Sequence, residues 1–208
     1  MDQLYSSPNP RDFVSRLFKD ASTKSFDTLP LEFAESVGLD VATIRDCREQ
    51  TLLNVAAGFG RKRLVDFLIN RGADVNARDV EGQAPLHFAC NHAHKSVAKL
   101  LIEAGATVNL VDLKGWSPLD FTLARKDNAQ SISQKYWEVV ELLLISGADP
   151  YKKSLSGKSC LDRVKDREQR LCIRLLHLKK KLEHFDNPSQ RASVIDRYIR
   201  EKDFFELI

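Results

Sequence analysis

Residues 79–89 read DVEGQAPLHFA, and a close copy, DLKGWSPLD, returns at residues 112–120. A weaker copy, DCREQTLLNVAA, precedes both at residues 46–57. Successive copies begin 33 residues apart. A fixed period of this length is the signature of a repeat architecture in which each unit is one supersecondary structure.

The second half of the unit also recurs. It reads GADVN at 72–76, GATVN at 105–109 and GADPY at 147–151. The first two of these glycines are 33 residues apart and the last two are 42 residues apart, so the third unit carries an insertion of nine residues. The period therefore extends over both halves of the unit.

This pattern resembles the ankyrin repeat, with its 33-residue period and T-P-L-H-x-A motif. Residues 79–111 match best, because they keep Pro-Leu-His and the closing Gly-Ala-x-Val-Asn. The resemblance implies an all-α solenoid of stacked helix-turn-helix units, with short β-hairpin or loop tips and helical caps. Glu49 replaces a glycine of the family pattern, Leu52 a proline, and Asn54 and Asp120 a histidine. We therefore expect the first tip to be atypical.

No single repeat can bury its apolar face alone, so the end units should be atypical caps. On this basis we divide the chain into an N-terminal helical cap formed by a degenerate repeat (1–45), three repeats (46–78, 79–111 and 112–153, the last with an insertion near 126–134), a degenerate C-terminal capping repeat (154–186) and a helical tail (187–208).

Local signals support helices in each repeat. Pro85 opens a first helix, where its missing N–H costs least. Leu86, Ala89 and Cys90 recur at i, i+3 and i+4 and are expected to face the stack. The second helices should end at Gly72, Gly105 and Gly147, which we predict at positive φ. The N-terminal cap has one apolar face, formed by Phe13, Val14, Leu17 and Phe18, and the C-terminal cap has a second helix around Leu171, Cys172, Leu175 and Leu176.

Composition is ordinary for a soluble globular protein, with 43% apolar and 29% charged residues and a net charge of +3. We expect no membrane span and see no Sec-type signal peptide. The four cysteines are widely spaced, which favours reduced, buried or half-buried thiols over a disulfide framework. This indicates a cytoplasmic protein, with the nucleus, or a host cytosol for a bacterial effector, as alternatives.

No enzymatic signature is present. The chain has no G-x-S-x-G, Walker A or H-E-x-x-H motif, and we predict no catalytic residue, cofactor or metal. The run Cys90-Asn91-His92-Ala93-His94 has the wrong spacing for structural zinc. The resemblance instead gives His87 and His94 a hydrogen-bonding role at hairpins and helix ends. Because Asp46, Asp79 and Asp112 share one repeat position, we assign them to local turn chemistry.

The resemblance also implies a binding surface formed by the hairpin tips and the exposed side of the first helices. We expect Trp116 to be the strongest contact, because tryptophan is over-represented in interface hot spots; the alternative is that its ring folds back on a neighbouring hairpin. The tips supply Arg48, Gln50, Arg78, Val80, Glu81, Gln83, Leu113, Lys114 and Trp116, and the helices supply Phe59, Asn91, His92, Arg125 and Lys126.

Three further segments are open to two interpretations each. The insertion near 126–134 is a polar surface loop that either binds a partner or is a neutral extension. Residues 163–181 hold eight Lys or Arg against two Asp or Glu, which reads as a solvated capping helix or as a nuclear-import or nucleic-acid patch. The tail 187–208 starts a helix at Asn187-Pro188 and ends in apolar residues, which either dock on the last repeat or enter a partner's groove.

We conclude from the sequence that the chain is a non-enzymatic adaptor or regulatory subunit that binds a protein partner. One alternative is a nucleic-acid-associated or nuclear regulatory factor that uses the basic cap. A nucleic-acid partner is disfavoured, because no aromatic residues interleave with the basic ones. Another alternative is an activating or targeting subunit of a kinase or ubiquitin-ligase complex, or a bacterial effector that mimics a host adaptor.

Overall fold

Helix pairs spaced by the repeat period build this chain. The computed structural model describes residues 10–22, 40–124, 132–183, 185 and 187–201. Within these ranges the regular structure is helical, and β-type pairing is limited to the isolated bridges Arg45–Thr51 and Lys153–Ser159. The predicted all-α class is confirmed. The helices are α1 (Pro10–Ser22), α2 (Leu52–Gly58), α3 (Lys62–Asn70), α4 (Pro85–Asn91), α5 (Lys95–Glu103), α6 (Pro118–Ala124), α7 (Gln134–Ile145), the 3₁₀ turn η1 (Cys160–Arg163), α8 (Arg167–Leu182) and α9 (Pro188–Glu201).

The helices stack unit on unit. The first helices α2, α4 and α6 start 33 residues apart and contact one another in that order. The second helices α3, α5 and α7 form a parallel series of contacts behind them. At the ends, α1 packs on α2, while η1 packs on α6 and α8 on α7. The predicted repeat solenoid is confirmed.

Burial repeats with the same period. Leu53, Leu86, Leu119 and Leu161 occupy one position in four successive units, and each is at most 4% exposed. Fully burying a leucine side chain stabilises the fold by about 1.5–3 kcal/mol relative to leaving it in water. Leu86, Ala89 and Cys90 are buried as predicted. The core is therefore continuous along the stack and is not divided among separate units.

Backbone geometry at the helix ends follows the glycine pattern. Gly72, Gly105 and Gly147 have φ of 81°, 92° and 94°, which confirms the prediction. In the first tip, Glu49 takes φ 59° where Gly82 takes φ 78° one repeat later. The first tip thus keeps the backbone conformation of the second tip despite its different residue. Glu49 adopts a left-handed conformation that is strained for a residue with a Cβ and that glycine adopts without strain.

The last unit is more degraded than its sequence suggests. Its first helix is reduced to η1, four residues long. In α8 the buried side chains are Ile173 and His177, whereas Cys172 and Leu175 are exposed. The predicted second helix around Leu171, Cys172, Leu175 and Leu176 is α8, and within it Leu171 and Leu176 are half-buried. His177 packs edge-on against the Tyr151 ring, with centroids 5.6 Å apart, on the buried side of α8.

The cysteine prediction holds for two thiols of four. Cys90 and Cys160 are buried, whereas Cys47 and Cys172 are exposed. Cys47 is exposed because it lies on a tip, and Cys172 because it lies on the outer side of α8.

Residues 126–131 of the predicted insertion lie outside the described residues, but its end is partly structured. Ile132 is buried, and Gln134 already starts α7, so the predicted loop was wrong at this end. The Gln169 side chain of α8 accepts from Ile132 N at 3.1 Å and donates to Ile132 O at 3.3 Å. This two-way contact ties the insertion to the C-terminal cap.

The terminal helices were located from sequence. In α1, Leu17 and Phe18 are buried and Val14 is half-buried; the side chain of Phe13 lies outside the described residues. The tail helix α9 starts at Pro188 as predicted, with Asn187 Oδ1 accepting from Ser189 N. It contacts α8, while residues 202–208, with the apolar chain end, lie outside the described residues.

Candidate interaction surface

An aspartate organises each tip loop. Asp79 Oδ1 accepts from Glu81 N at 2.9 Å and from Gln83 N at 2.8 Å. Asp46 and Asp112 make the same pair of bonds in their own tips, which confirms the assigned turn role. Each carboxylate therefore holds two backbone N–H groups that would otherwise need water.

Neighbouring tips are joined by backbone hydrogen bonds. Val80 N donates to Arg48 O at 3.1 Å, and Leu113 N donates to Glu81 O at 3.0 Å. Leu155 N donates to Lys114 O at 3.1 Å, so the degraded fourth unit joins the same series. Four tips thus form one continuous edge.

Charged side chains follow the same edge. Glu81 lies between Arg48 and Lys114, at 3.9 Å and 3.8 Å between nitrogen and oxygen. We call these three residues the charge ladder. All three side chains are at least 43% exposed, so the ladder fixes side-chain orientation more than it adds stability.

The predicted contact residues Arg78 and Gln83 also have internal partners. The Arg78 guanidinium donates to Val111 O in the next repeat, and Arg45 donates in the same way to Arg78 O at 2.9 Å. Gln83 Nε2 donates to Glu81 Oε2 at 3.0 Å. Arg78 and Gln83 therefore brace the tip edge, although Arg78 is still exposed.

Trp116 is half-buried and is held on two sides. Its ring meets Phe121 edge-on, with centroids 5.4 Å apart, and the Arg163 guanidinium lies 3.9 Å above its centroid. Arg163 Nε also lies 3.5 Å from the buried carboxylate of Asp120. The aromatic ring is thus part of the joint between the third repeat and the C-terminal cap, and replacing it would disturb that joint as well as any partner contact.

The predicted helix positions are spread along the first helices. Phe59 is 51% exposed and His92 is exposed, while Asn91 is half-buried and its carbonyl accepts from the Tyr136 hydroxyl at 3.3 Å. Arg125 and Lys126 lie outside the described residues. Phe59 and His92 therefore sit at the C-terminal ends of α2 and α4, one repeat apart.

Two histidines have the predicted hydrogen-bonding role. His87 Nδ1 accepts from Ala84 N at 3.0 Å, so its Nε2 carries the proton and donates to Trp116 O at 3.2 Å in the next repeat. His94 Nε2 donates to Gly58 O at 3.0 Å. Burial lowers the pKa of both rings, which keeps them neutral near pH 7.

Among the described residues, no three His, Cys, Asp or Glu side chains are placed to hold a metal ion. Burial raises the pKa of the Cys90 thiol to about 12 and that of Cys160 well above its usual value. A thiol at such a pKa is not a nucleophile at neutral pH.

The tip edge carries apolar residues that the sequence prediction only partly included. Val80, Leu113 and Leu155 are 54%, 66% and 81% exposed at equivalent repeat positions, and Cys47 is the exposed counterpart in the first tip. We call these four residues the tip row. The 33- and 42-residue spacings alone could have located Cys47 and Leu155.

The repeat assignment has independent support. A family model for ankyrin repeats, in three copies, matches residues 24–112 and 53–154, which is more than half of the chain. The chain belongs to the ankyrin-repeat family. Ankyrin repeats are generally protein–protein interaction modules. No curated protein is similar enough to match it. No helix in the part described here is long and apolar enough to cross a membrane.

Proposed function

We propose that this ankyrin-repeat protein is a non-enzymatic adaptor or regulatory subunit that holds a partner protein on its tip edge and the adjoining ends of the first helices. The observation that carries the proposal is the backbone connection of four successive tips, Arg48 to Val80, Glu81 to Leu113 and Lys114 to Leu155. A surface joined in this way is ordered before it binds, which removes part of the entropy cost of association.

The side chains on this edge suit recognition of a protein. Exposed apolar residues alternate along the edge with the Arg48, Glu81 and Lys114 charges. Apolar contacts supply affinity, and a fixed order of charges selects the partner's register and disfavours wrong partners. Trp116 and Arg78 contribute mainly by keeping the edge rigid.

Affinity capture from lysate tests the proposal. The bait is the tagged full chain, compared with a Leu113→Ala/Lys114→Ala variant. Ile145→Ala is the matched control, because Ile145 is 57% exposed but lies on α7 away from the tips. We expect a protein that is retained by wild type and control and lost with the double variant. The same protein set on all three baits would contradict the proposal.

The basic C-terminal cap supports a nucleic-acid role less well. On α8, Arg170 donates to Val164 O and Lys180 pairs with Glu183 at 3.0 Å, so part of the positive charge is used inside the chain. Captured nucleic acid that dissociates steeply with added salt would favour that alternative. We propose the cytoplasm as the site of action, which fractionation of the tagged chain would check.

A further inference from the structure

The tip row forms an apolar line that the described part of the fold leaves uncovered. Val80, Leu113 and Leu155 are each more than half exposed, and each donates its backbone N–H to the preceding tip. These bonds fix the spacing of their side chains. Large apolar side chains exposed in a continuous line, flanked by charges, indicate an interaction surface.

We propose that the tip row and the charge ladder bind one amphipathic α-helix of a partner protein, laid along the stack. Its apolar residues recur every seven positions, and they are flanked in order by an acidic, a basic and an acidic residue that face Arg48, Glu81 and Lys114. This inference rests on the proposed adaptor function and specifies the class of partner.

The backbone N–H groups of the two central tips are not free to pair with an extended partner strand. The N–H groups of residues 80–83 all donate within the protein, to Arg48 O or to Asp79, and those of residues 113–116 donate to Glu81 O or to Asp112. A strand added to an edge depends on main-chain hydrogen bonds to free groups. Because these donors are used, the occupant must satisfy its own backbone, and a helix does so.

The spacing of the row also favours a helix. Neighbouring side chains are separated by one helix layer, about 8–10 Å. Seven residues of an α-helix rise about 10.5 Å, whereas same-face residues of a strand repeat every 6.8 Å or so. A polyproline helix repeats at about 9.3 Å but has no internal hydrogen bonds. Grooves that bind polyproline are lined by aromatic residues, and the row contains none.

The order of charges sets the register of the helix. Glu81 holds the centre of the ladder between two cations, so the matching helix carries acidic, basic and acidic residues at the same period. Helices with one uniform charge would meet repulsion at one or two of the three positions. Opposed charges of this kind select register more than they add affinity.

A designed peptide tests this class of partner directly. The probe is a fluorescein-labelled 28-residue helix with leucine at every seventh position and Glu, Lys and Glu beside the first three leucines. Binding to the purified full chain is measured by fluorescence anisotropy. We expect a Leu113→Ser/Leu155→Ser variant to bind at least about tenfold more weakly, and the control Ile145→Ser to bind within about twofold of wild type. Circular dichroism confirms that all variants keep the wild-type fold.

Three control peptides separate the outcomes. One has the same composition with leucines five apart, one has the charges reversed, and one carries prolines that prevent a helix. Each should bind at least about tenfold more weakly. Equal binding of the proline peptide, no binding of the designed helix to wild type, or binding unaffected by the Leu113→Ser/Leu155→Ser change would overturn the helix assignment. If the helix assignment is overturned but capture of a protein from lysate still depends on Leu113 and Lys114, the proposed adaptor function is retained and only the class of partner is wrong.

Discussion

His87 and Asp120 occupy the same repeat position, and each caps its own helix and contacts the next unit, but the two do so with different chemistry. In the second repeat a neutral His87 caps its own helix through Ala84 N and reaches Trp116 O in the next unit. One repeat later, Asp120 caps through Ser117 N at 2.9 Å and reaches the next unit through the Arg163 side chain. The contact between the second and third repeats, here the central joint, therefore depends on neutral hydrogen bonds. The contact between the third repeat and the C-terminal cap, here the C-terminal joint, depends on a buried charge pair.

The difference has a consequence for stability. A neutral hydrogen bond that is lost leaves one polar group unsatisfied, which costs about 1–3 kcal/mol. A buried charge that loses its partner costs more, because a lone ion is poorly solvated inside the protein. The joint to the C-terminal cap is thus the more sensitive of the two, and it lies beside the last tip of the proposed binding edge.

Breaking the charged joint should have the largest effect. Arg163→Met leaves the Asp120 carboxylate, 2% exposed, without its cation and removes the cation above Trp116. We expect the free energy of unfolding to fall by about 3 kcal/mol, measured by urea denaturation. The double variant Asp120→Asn/Arg163→Met should recover part of that loss. A single variant as stable as wild type would show that the pair is not coupled.

Much of this architecture was predictable, and the exceptions share a cause. The repeat period located Leu86, Gly105 and the helix starts, because each is set by contacts within a unit or with an identical neighbour. The partner of Asp120 was not predictable, because Arg163 lies in a unit whose first helix has shrunk to a single 3₁₀ turn. Where successive units differ in sequence and length, the repeat period no longer predicts which side chains are in contact.

The same limit applied to the candidate surface. Leu113, Glu81 and Lys114 could be assigned to the tips from the sequence because their tips match the family pattern. Leu155 was missed because Ser154 replaces the tip aspartate, although the backbone still joins the edge. For Trp116, the tip position was correct, but the covering Arg163 comes from the degraded unit.

Removing the Trp116 ring from the C-terminal joint should have the second largest effect on stability. Trp116→Ala loses the edge-on contact with Phe121 and the guanidinium above the ring, and we expect a loss of stability of about 2 kcal/mol by urea denaturation. Leu113→Ala, on the same tip but 66% exposed, is the control and should stay within about 0.5 kcal/mol of wild type. Equal losses in both variants would contradict this role for the ring.

The contribution of neutral His87 to the central joint should appear as a pH dependence of the free energy of unfolding. Burial lowers the pKa of His87 in the folded state, so the unfolded chain binds more protons at acid pH. Stability contributed by a neutral His87 is complete above the unfolded pKa of about 6.5 and is lost as pH falls towards the lower folded value.

A single substitution isolates that contribution. His87→Asn introduces the residue that the first repeat uses at this position, where Asn54 Nδ2 donates to Gln83 O at 3.2 Å. Between pH 7 and 5, we expect the variant to lose less stability than wild type, by at most about 1.4 kcal/mol for each pH unit. His94, whose pKa is lowered in the same direction, keeps part of the slope in both proteins. Identical pH profiles from urea melts at several pH values would rule out His87 as the titrating group.

The smallest expected change concerns the first tip against the later ones. Glu49 has φ 59°, whereas Gly82 and Gly115 fill this position in the next two tips. Glu49→Gly should stabilise the fold by about 0.5–1 kcal/mol, because glycine adopts this region without strain, and the exposed Arg45–Glu49 ion pair at 4.0 Å contributes little. The opposite change, Gly115→Ala, should destabilise, because a Cβ would lie 2.8 Å from Leu155 N and disturb the bond joining the last two tips. Thermal melts of both variants measure whether Glu49→Gly raises the melting temperature and Gly115→Ala lowers it. If both variants melt below wild type, the side chain of Glu49 outweighs the strain in its backbone.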